Sequence, residues 1–381
     1  MTTLADMADE AALYGVSVAR RPPRERVDRY VGEALERLAV GDERLRGAVE
    51  TLVAAALWGP HGVVQRNGMV RYDANPVLLS HKTGSNAGAS LRLQADLGLA
   101  SLSAEEHLDH ATATVRHIIE CLEWQHLGSC ADSWMRRAFQ AQPDNDARTL
   151  HVGLVVEDES TELRLYCNPG GLPHARWECL AALTSLFGGA SVAQEIGNIA
   201  APLGENGAPV VIALCLRAGA VAGIRPYVKA KDWDGGRLAE LLAFGGIGFE
   251  SPIRSLAAYF SQWRDEGAGG LLFAGAAPCV AFDFPVSDGI VGLRPTRTKI
   301  DVPFRGLPGY PHGESSDVQA RIAQLYAEVG LCAQGAIGFL DDLDHRFGGS
   351  RVEYLSAGSG QRGPEMTLYA VTAGLASQYR L

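Results

Sequence analysis

The 381-residue sequence has no long apolar run, no paired cysteine motif and no excess of positive charge. Each absence narrows the field. No stretch reaches the roughly 18 consecutive apolar residues that mark a membrane span, and Met1 to Val16 is polar and acidic. Neither a membrane partner nor a secretory signal is therefore expected. Seven cysteines, an odd number, lie scattered without any Cys-x-x-Cys spacing. They read as reduced thiols, mostly buried, in a cytoplasmic protein. Thirty-four Lys and Arg stand against 44 Asp and Glu, a net charge of −10. That speaks against a nucleic-acid partner, which asks for a basic face. It does not speak against a small anion, which needs only a few local cations.

Several familiar signatures are missing or misplaced. No Gly-x-Ser-x-Gly occurs, so a serine-hydrolase elbow has no support. Gly358 to Gly363 matches Gly-x-Gly-x-x-Gly, but a strand pattern follows it where the dinucleotide fingerprint needs a helix, so it reads as a hairpin loop. His107 and His110 share a helical pattern and read as a solvated face, not a metal site. Trp124, Trp134, Trp177 and Trp263 fall on helical patterns and read as core.

What is present is a recurring unit. Helical patterns over Arg24 to Ala39 and Asp42 to Leu57 end at Trp58-Gly59-Pro60, a strong breaker. Five pairs of strand patterns follow: Pro76 to Lys82 with Ser90 to Asp96, Leu150 to Glu157 with Glu162 to Asn168, Pro209 to Arg217 with Val221 to Lys229, Pro278 to Pro285 with Thr296 to Pro303, and Arg351 to Ala357 with Glu365 to Thr372. Between the pairs lie helical patterns over Ala104 to Leu122, Ser129 to Ala141, Ala175 to Phe187, Gly236 to Ala243, Ile253 to Trp263, Ser316 to Val329 and Cys332 to Leu343. Five antiparallel pairs make ten strands. The expected fold is α+β: a closed ten-stranded antiparallel β-barrel surrounded by α-helices, with a lumen wide enough for ligands. The whole chain, 1–381, reads as one barrel domain, with the helices of residues 1–60 packed on it.

Strand alternation predicts what fills that lumen. In Leu163-Arg164-Leu165-Tyr166 the leucines share one face, and Arg164 and Tyr166 share the other. Arg225-Pro226-Tyr227 repeats the spacing, and Arg92 and Lys299 place cations at matching points of the second and eighth strand patterns. The last pair adds Tyr354 and Tyr369. A ring of cations beside a ring of tyrosines suits one chemistry. The cations stabilise a leaving diphosphate. Tyrosine faces shield the allylic cation left behind, at roughly 0.5–2 kcal/mol each, and a closed lumen keeps water from it.

The motifs that carry this pattern also resemble a known family. Arg164-Leu165-Tyr166-Cys167-Asn168-Pro169 is similar to the Lys-x-Tyr-x-Asn-Pro strand of bacterial dimethylallyltryptophan synthases, the indole prenyltransferases of the ABBA (PT-barrel) type. Asn75 to Ser80 with Leu91-Arg92 resembles that family's first hairpin, and Tyr354-Leu355-Ser356 with Glu365 to Ala370 its last. The resemblance spans about residues 70–375. It implies five ααββ repeats and an aromatic prenyltransferase of secondary metabolism, monomeric or homodimeric. The co-substrate would be dimethylallyl diphosphate, and the partner an indole such as tryptophan or, as alternatives, a phenol or no turnover at all. Arg92, Arg164, Arg225 and Lys299 would grip the diphosphate, and Tyr166, Tyr227, Tyr354 and Tyr369 would shield the cation. No cofactor and no metal would be required. Asp341-Asp342-Leu343-Asp344 has the wrong spacing for the magnesium motif of isoprenyl synthases. Two acceptor-side positions depart from the family: Leu78 stands where a Glu usually holds the indole N–H, and Asp301 where a Tyr is usual.

Overall fold

A computed structural model describes residues 42–58, 77–84, 90–97, 103–142, 150–157, 160–230, 240–241, 243–244, 279–303, 315–347, 350–360 and 363–372. Its helices are α1 (Glu43–Trp58), α2 (Ala104–Cys121), α3 (Gly128–Ala141), α4 (Pro173–Ser185), α5 (Ala190–Ala200), α6 (Ser315–Glu328) and α7 (Gln334–Phe347). Its strands are β1 (Val77–Gly84), β2 (Ser90–Asp96), β3 (Leu150–Glu157), β4 (Ser160–Cys167), β5 (Pro209–Arg217), β6 (Ala220–Lys229), β7 (Cys279–Ser287), β8 (Ile290–Val291), β9 (Arg297–Pro303), β10 (Ser350–Gly360) and β11 (Gly363–Thr372).

Ten of these strands close on themselves. The ladder runs β6-β5-β4-β3-β2-β1-β11-β10-β9-β7, and β7 returns to pair with β6. Every pairing is antiparallel. Closure leaves no open sheet edge, so every strand has a partner on both sides. The short β8 stands outside the ring and pairs only with the end of β7. Local chemistry sets the tight turns. Between β5 and β6 the residues Ala218 and Gly219 have φ of 48° and 76°, and after β7 Asp288 and Gly289 have 51° and 74°. Two successive left-handed residues give the hairpin turn whose twist matches that of its strands.

The hydrophobic core lies outside the barrel wall. Leu163, Leu165 and Cys167 of β4, Ile212, Leu214 and Leu216 of β5, and Val280, Phe282 and Phe284 of β7 are buried in one cluster with helix residues such as Trp134, Met135, Leu180 and Leu183. Helix α1 joins the same cluster through Leu45, Ala48, Val49 and Leu52, and it contacts α2 and β2. Helix starts follow simple rules. Ser103 and Glu106 form a reciprocal capping box at α2, and Pro173 opens α4, where its missing N–H costs nothing.

The expected barrel is thus observed, with three adjustments. Helix α5 was not foreseen: its eleven residues carry Gly197 and Asn198, which weaken the helical signal, yet it completes the two-helix repeat with α4. His107 is not on a solvated face. It is buried and meets the Phe139 ring edge-on at 6.1 Å. Trp134 is fully buried as expected, whereas Trp177 and Trp124 are only partly so. The patterns at Arg24 to Ala39 and Ile253 to Trp263 lie outside the described residues, as does most of Gly236 to Ala243.

Candidate active site

Ladder register shows which residues share the inner face. Arg92 of β2 stands opposite Ser80 and Val155, and Arg164 of β4 stands opposite Gly153 and Cys215. Lys299 stands opposite Gly358 and Ala281, and Asp301 opposite Ser356 and Cys279. Tyr369 faces Ser80 and Tyr354 across its two ladders. One irregularity matters here. A bulge between Val352 and Tyr354 adds a residue to β10. Strict alternation would put Val352 and Tyr354 on the same face. With the bulge, Val352 joins the outer core and Tyr354 lines the lumen.

Fourteen described residues line a cavity inside the barrel, whose empty space is about 480 Å³ with its solvent-open part included. Its wall includes Arg92, Arg164 and Lys299, the tyrosines Tyr166, Tyr227, Tyr354 and Tyr369, and Asp301. Eight of the ten positions singled out in the sequence therefore converge on one space. Arg225 is buried close by but is not part of the wall, because its guanidinium is engaged by Asp283, with Nη2–Oδ2 at 2.6 Å. Leu78 is placed only in the ladder, opposite Gln94. Gly153 matters for shape. A Cβ there would lie 3.1 Å from the Tyr166 ring, so a larger residue would press that ring out of place.

The cations are not equivalent. Arg164 is held by Glu162, which also accepts Arg217 at 2.9 Å. Lys299 is held by Asp301, with Nζ 2.9 Å from both carboxylate oxygens. Arg92 has no acid partner among the described residues. It donates from Nη1 to the Tyr369 hydroxyl at 3.3 Å, and its buried Nε and Nη2 have no hydrogen-bond partner among the described residues. Nη1 of Arg225 and Nε of Arg297 are likewise buried without partners. Unsatisfied buried donors are costly. Open donors on Arg92, a residue of the cavity wall, make a site for an anion that arrives with its own acceptors.

Titration behaviour follows from this field. Burial opposes charge on Arg164 and Arg225, but Glu162 and Asp283 outweigh it and hold both guanidiniums above their ordinary range. Burial also opposes charge on Asp283, yet Arg225 beside it holds the carboxyl down to about 2. Burial raises Tyr166 and Tyr227. Tyr369 goes the other way. Burial would raise it, but the Lys299 ammonium and the Arg92 guanidinium bring it down to about 7. Lys299 Nζ lies 3.2 Å from the Tyr369 hydroxyl and sits over two rings, 5.3 Å from the centroid of Tyr227 and 5.6 Å from that of Tyr369.

Sequence reasoning missed the outer collar of this site. Lys82 pairs with Glu365 at 2.8 Å, Glu365 with Arg297, and Arg297 with Asp283 at 3.8 Å. Lys229 meets Glu205 at 3.3 Å. The signal was available: Glu162, Lys229 and Arg297 each lie two residues from a chosen position, on the same face of the strand.

No protein-family model and no curated protein matches the sequence. Solved structures do match. A 5-dimethylallyl tryptophan synthase from Streptomyces coelicolor, crystallised with DMASPP and Trp, aligns with TM-score 0.66 and 16% identity over 91% of this chain and 93% of that one. A 6-dimethylallyltryptophan synthase from Micromonospora olivasterospora, also with DMASPP and Trp, gives 0.62 and 17% over 92% and 98%. AnaPT from Neosartorya fischeri gives 0.58 and 12% over 97% and 98%. Closed ten-stranded barrel, flanking helices and near-complete coverage agree: the chain has the PT-barrel fold of the ABBA-type prenyltransferases, the dimethylallyltryptophan synthases among them.

Proposed function

We propose that this protein is an aromatic prenyltransferase that moves a dimethylallyl group from its diphosphate to an electron-rich ring. One observation carries the reading: a single cavity walled by Arg92, Arg164, Lys299 and four tyrosines. Arg92, Arg164 and Lys299, backed by Arg225, stabilise charge building on the departing diphosphate in a water-poor lumen. Tyr166, Tyr227, Tyr354 and Tyr369 present π faces to the allylic cation. The aromatic carbon or nitrogen then attacks, and a proton is lost. The cations do the work that a magnesium ion does in other prenyl transfers, so the reaction proceeds without metal. Neighbours crystallised with DMASPP and Trp support an indole as the acceptor. Leu78, without a carboxylate, supports a ring held by something other than its N–H.

A second reading is a barrel that binds the diphosphate without turnover. It draws on the acids, because Glu162 and Asp301 already hold two of the three wall cations. The deciding experiment is incubation of dimethylallyl diphosphate with tryptophan and a panel of indoles and phenols in the presence of EDTA, read by mass spectrometry. A product heavier by one prenyl unit is expected. Diphosphate binding with no product from any acceptor selects the second reading. Absence of binding overturns both.

A further inference from the structure

Prenylation of a ring carbon leaves a proton to be removed, and Leu78 cannot take it. Among the described residues lining the cavity, Asp301 carries the only carboxylate. It is 4% exposed and sits on β9 between Cys279 and Ser356 of the neighbouring strands. Its two oxygens differ. Oδ1 accepts from Lys299 Nζ at 2.9 Å and from the Ser356 hydroxyl. Oδ2 lies 2.9 Å from the same ammonium and is engaged by no other described residue. Oδ1 is thus held by two donors, and Oδ2 by the ammonium alone among the described residues, on a side chain that lines the cavity.

We propose that Asp301 is the catalytic base of this enzyme, taking the acceptor's proton at Oδ2. The assignment rests on the prenyl-transfer reading above. The allylic C–O bond of the donor breaks with its electron pair going to the diphosphate. The ring's π pair forms the new C–C bond. The C–H bond at that ring carbon then gives its proton to Oδ2, and its electron pair restores aromaticity. Asp301 passes the proton to water as product leaves. An arenium ion is a strong acid, so a carboxylate held by an ammonium is basic enough. General-base assignment begins with geometry, and here the ammonium facing the leaving group also aims the base. When the diphosphate arrives, it shares the Lys299 charge and loosens the hold on Asp301.

The test compares wild type, Asp301→Asn and Asp301→Glu, using an acceptor from the panel above deuterated at the reacting carbon. In Asp301→Asn, product formation should fall by about a hundredfold or more. Binding of a thiolodiphosphate donor analogue should be unchanged or tighter, because a competing negative charge near Lys299 has gone. A deuterium isotope effect on kcat, small in wild type, should appear. Asp301→Glu keeps the charge and guards against a variant that does not fold. It should show the same isotope effect at smaller amplitude with partial activity. Wild-type rates without an isotope effect in both variants would overturn the assignment. So would joint loss of donor binding and product, which marks a structural role. A wild type that binds donor but prenylates nothing removes the reaction itself, and the assignment with it.

Discussion

The two faces of one strand divide this protein's labour. In β4, Leu165 is 1% exposed and packs in the helix-covered core, while its neighbours Arg164 and Tyr166 line the cavity. Both faces are buried, yet they are buried in opposite media. Outside the wall, apolar side chains meet helices and stabilise the fold by area removed from water. Inside, charges and phenols meet one another and leave donors unfilled. The lesson is that burial alone does not separate scaffold from site. What separates them is the kind of group buried: charged groups gather on the inner face and apolar ones on the outer.

The sharpest way to break the comparison is to cut each face in turn. Leu165→Ala should lower unfolding free energy by about 2–5 kcal/mol, the usual range for a buried leucine in a packed core, and leave turnover per folded molecule nearly intact. Denaturant unfolding with a parallel rate assay checks both. Arg92→Gln should do the reverse. Turnover should fall about a hundredfold, roughly 2.7 kcal/mol of transition-state stabilisation. Tm should hold or rise, because the lost charge is buried and has no acid partner to orphan among the described residues. A large drop in Tm for Arg92→Gln would erase the distinction between the faces.

Legibility from sequence follows the same line. Alternation in Leu163 to Tyr166 was enough to sort the two faces of β4, and the spacing of Arg92, Arg164, Arg225 and Lys299 located the lumen. Four things stayed hidden. The β10 bulge moves Tyr354 to the inside, and an inserted residue leaves no mark on composition. The acid partners went unweighed because a strand pattern says which face a side chain takes, not whom it meets across the barrel. Arg225 looked equivalent to the others until Asp283, 58 residues further on, proved to hold it. Helix α5 lacked the length and propensity to announce itself.

Smaller effects sharpen the picture of the inner face. Tyr166→Leu should cost about 0.5–2 kcal/mol in kcat/KM, the worth of a lost cation–π face, while Tyr166→Phe keeps most of the activity. If both variants fall equally, the hydroxyl rather than the ring carries the function. The weakest signal is a titration. Tyr369 ionises near 7 in the folded protein against about 10 for a free phenol. A folded value below the unfolded one adds stability as pH rises from about 7 to about 10, and that gain is lost as pH falls back through 7. Wild type should therefore gain stability relative to Tyr369→Phe over that window. Its tyrosinate absorbance should titrate near neutrality and shift upward in Arg92→Gln.

The closed ring of ladders carries a consequence for how such a protein changes over time. Each hairpin is held by its own hydrogen bonds and by helices behind it, and its inward side chains reach toward a shared axis. An inward residue can be exchanged on one hairpin without rewriting the other four. The lining of the cavity can thus change one stave at a time, with folding left out of the negotiation.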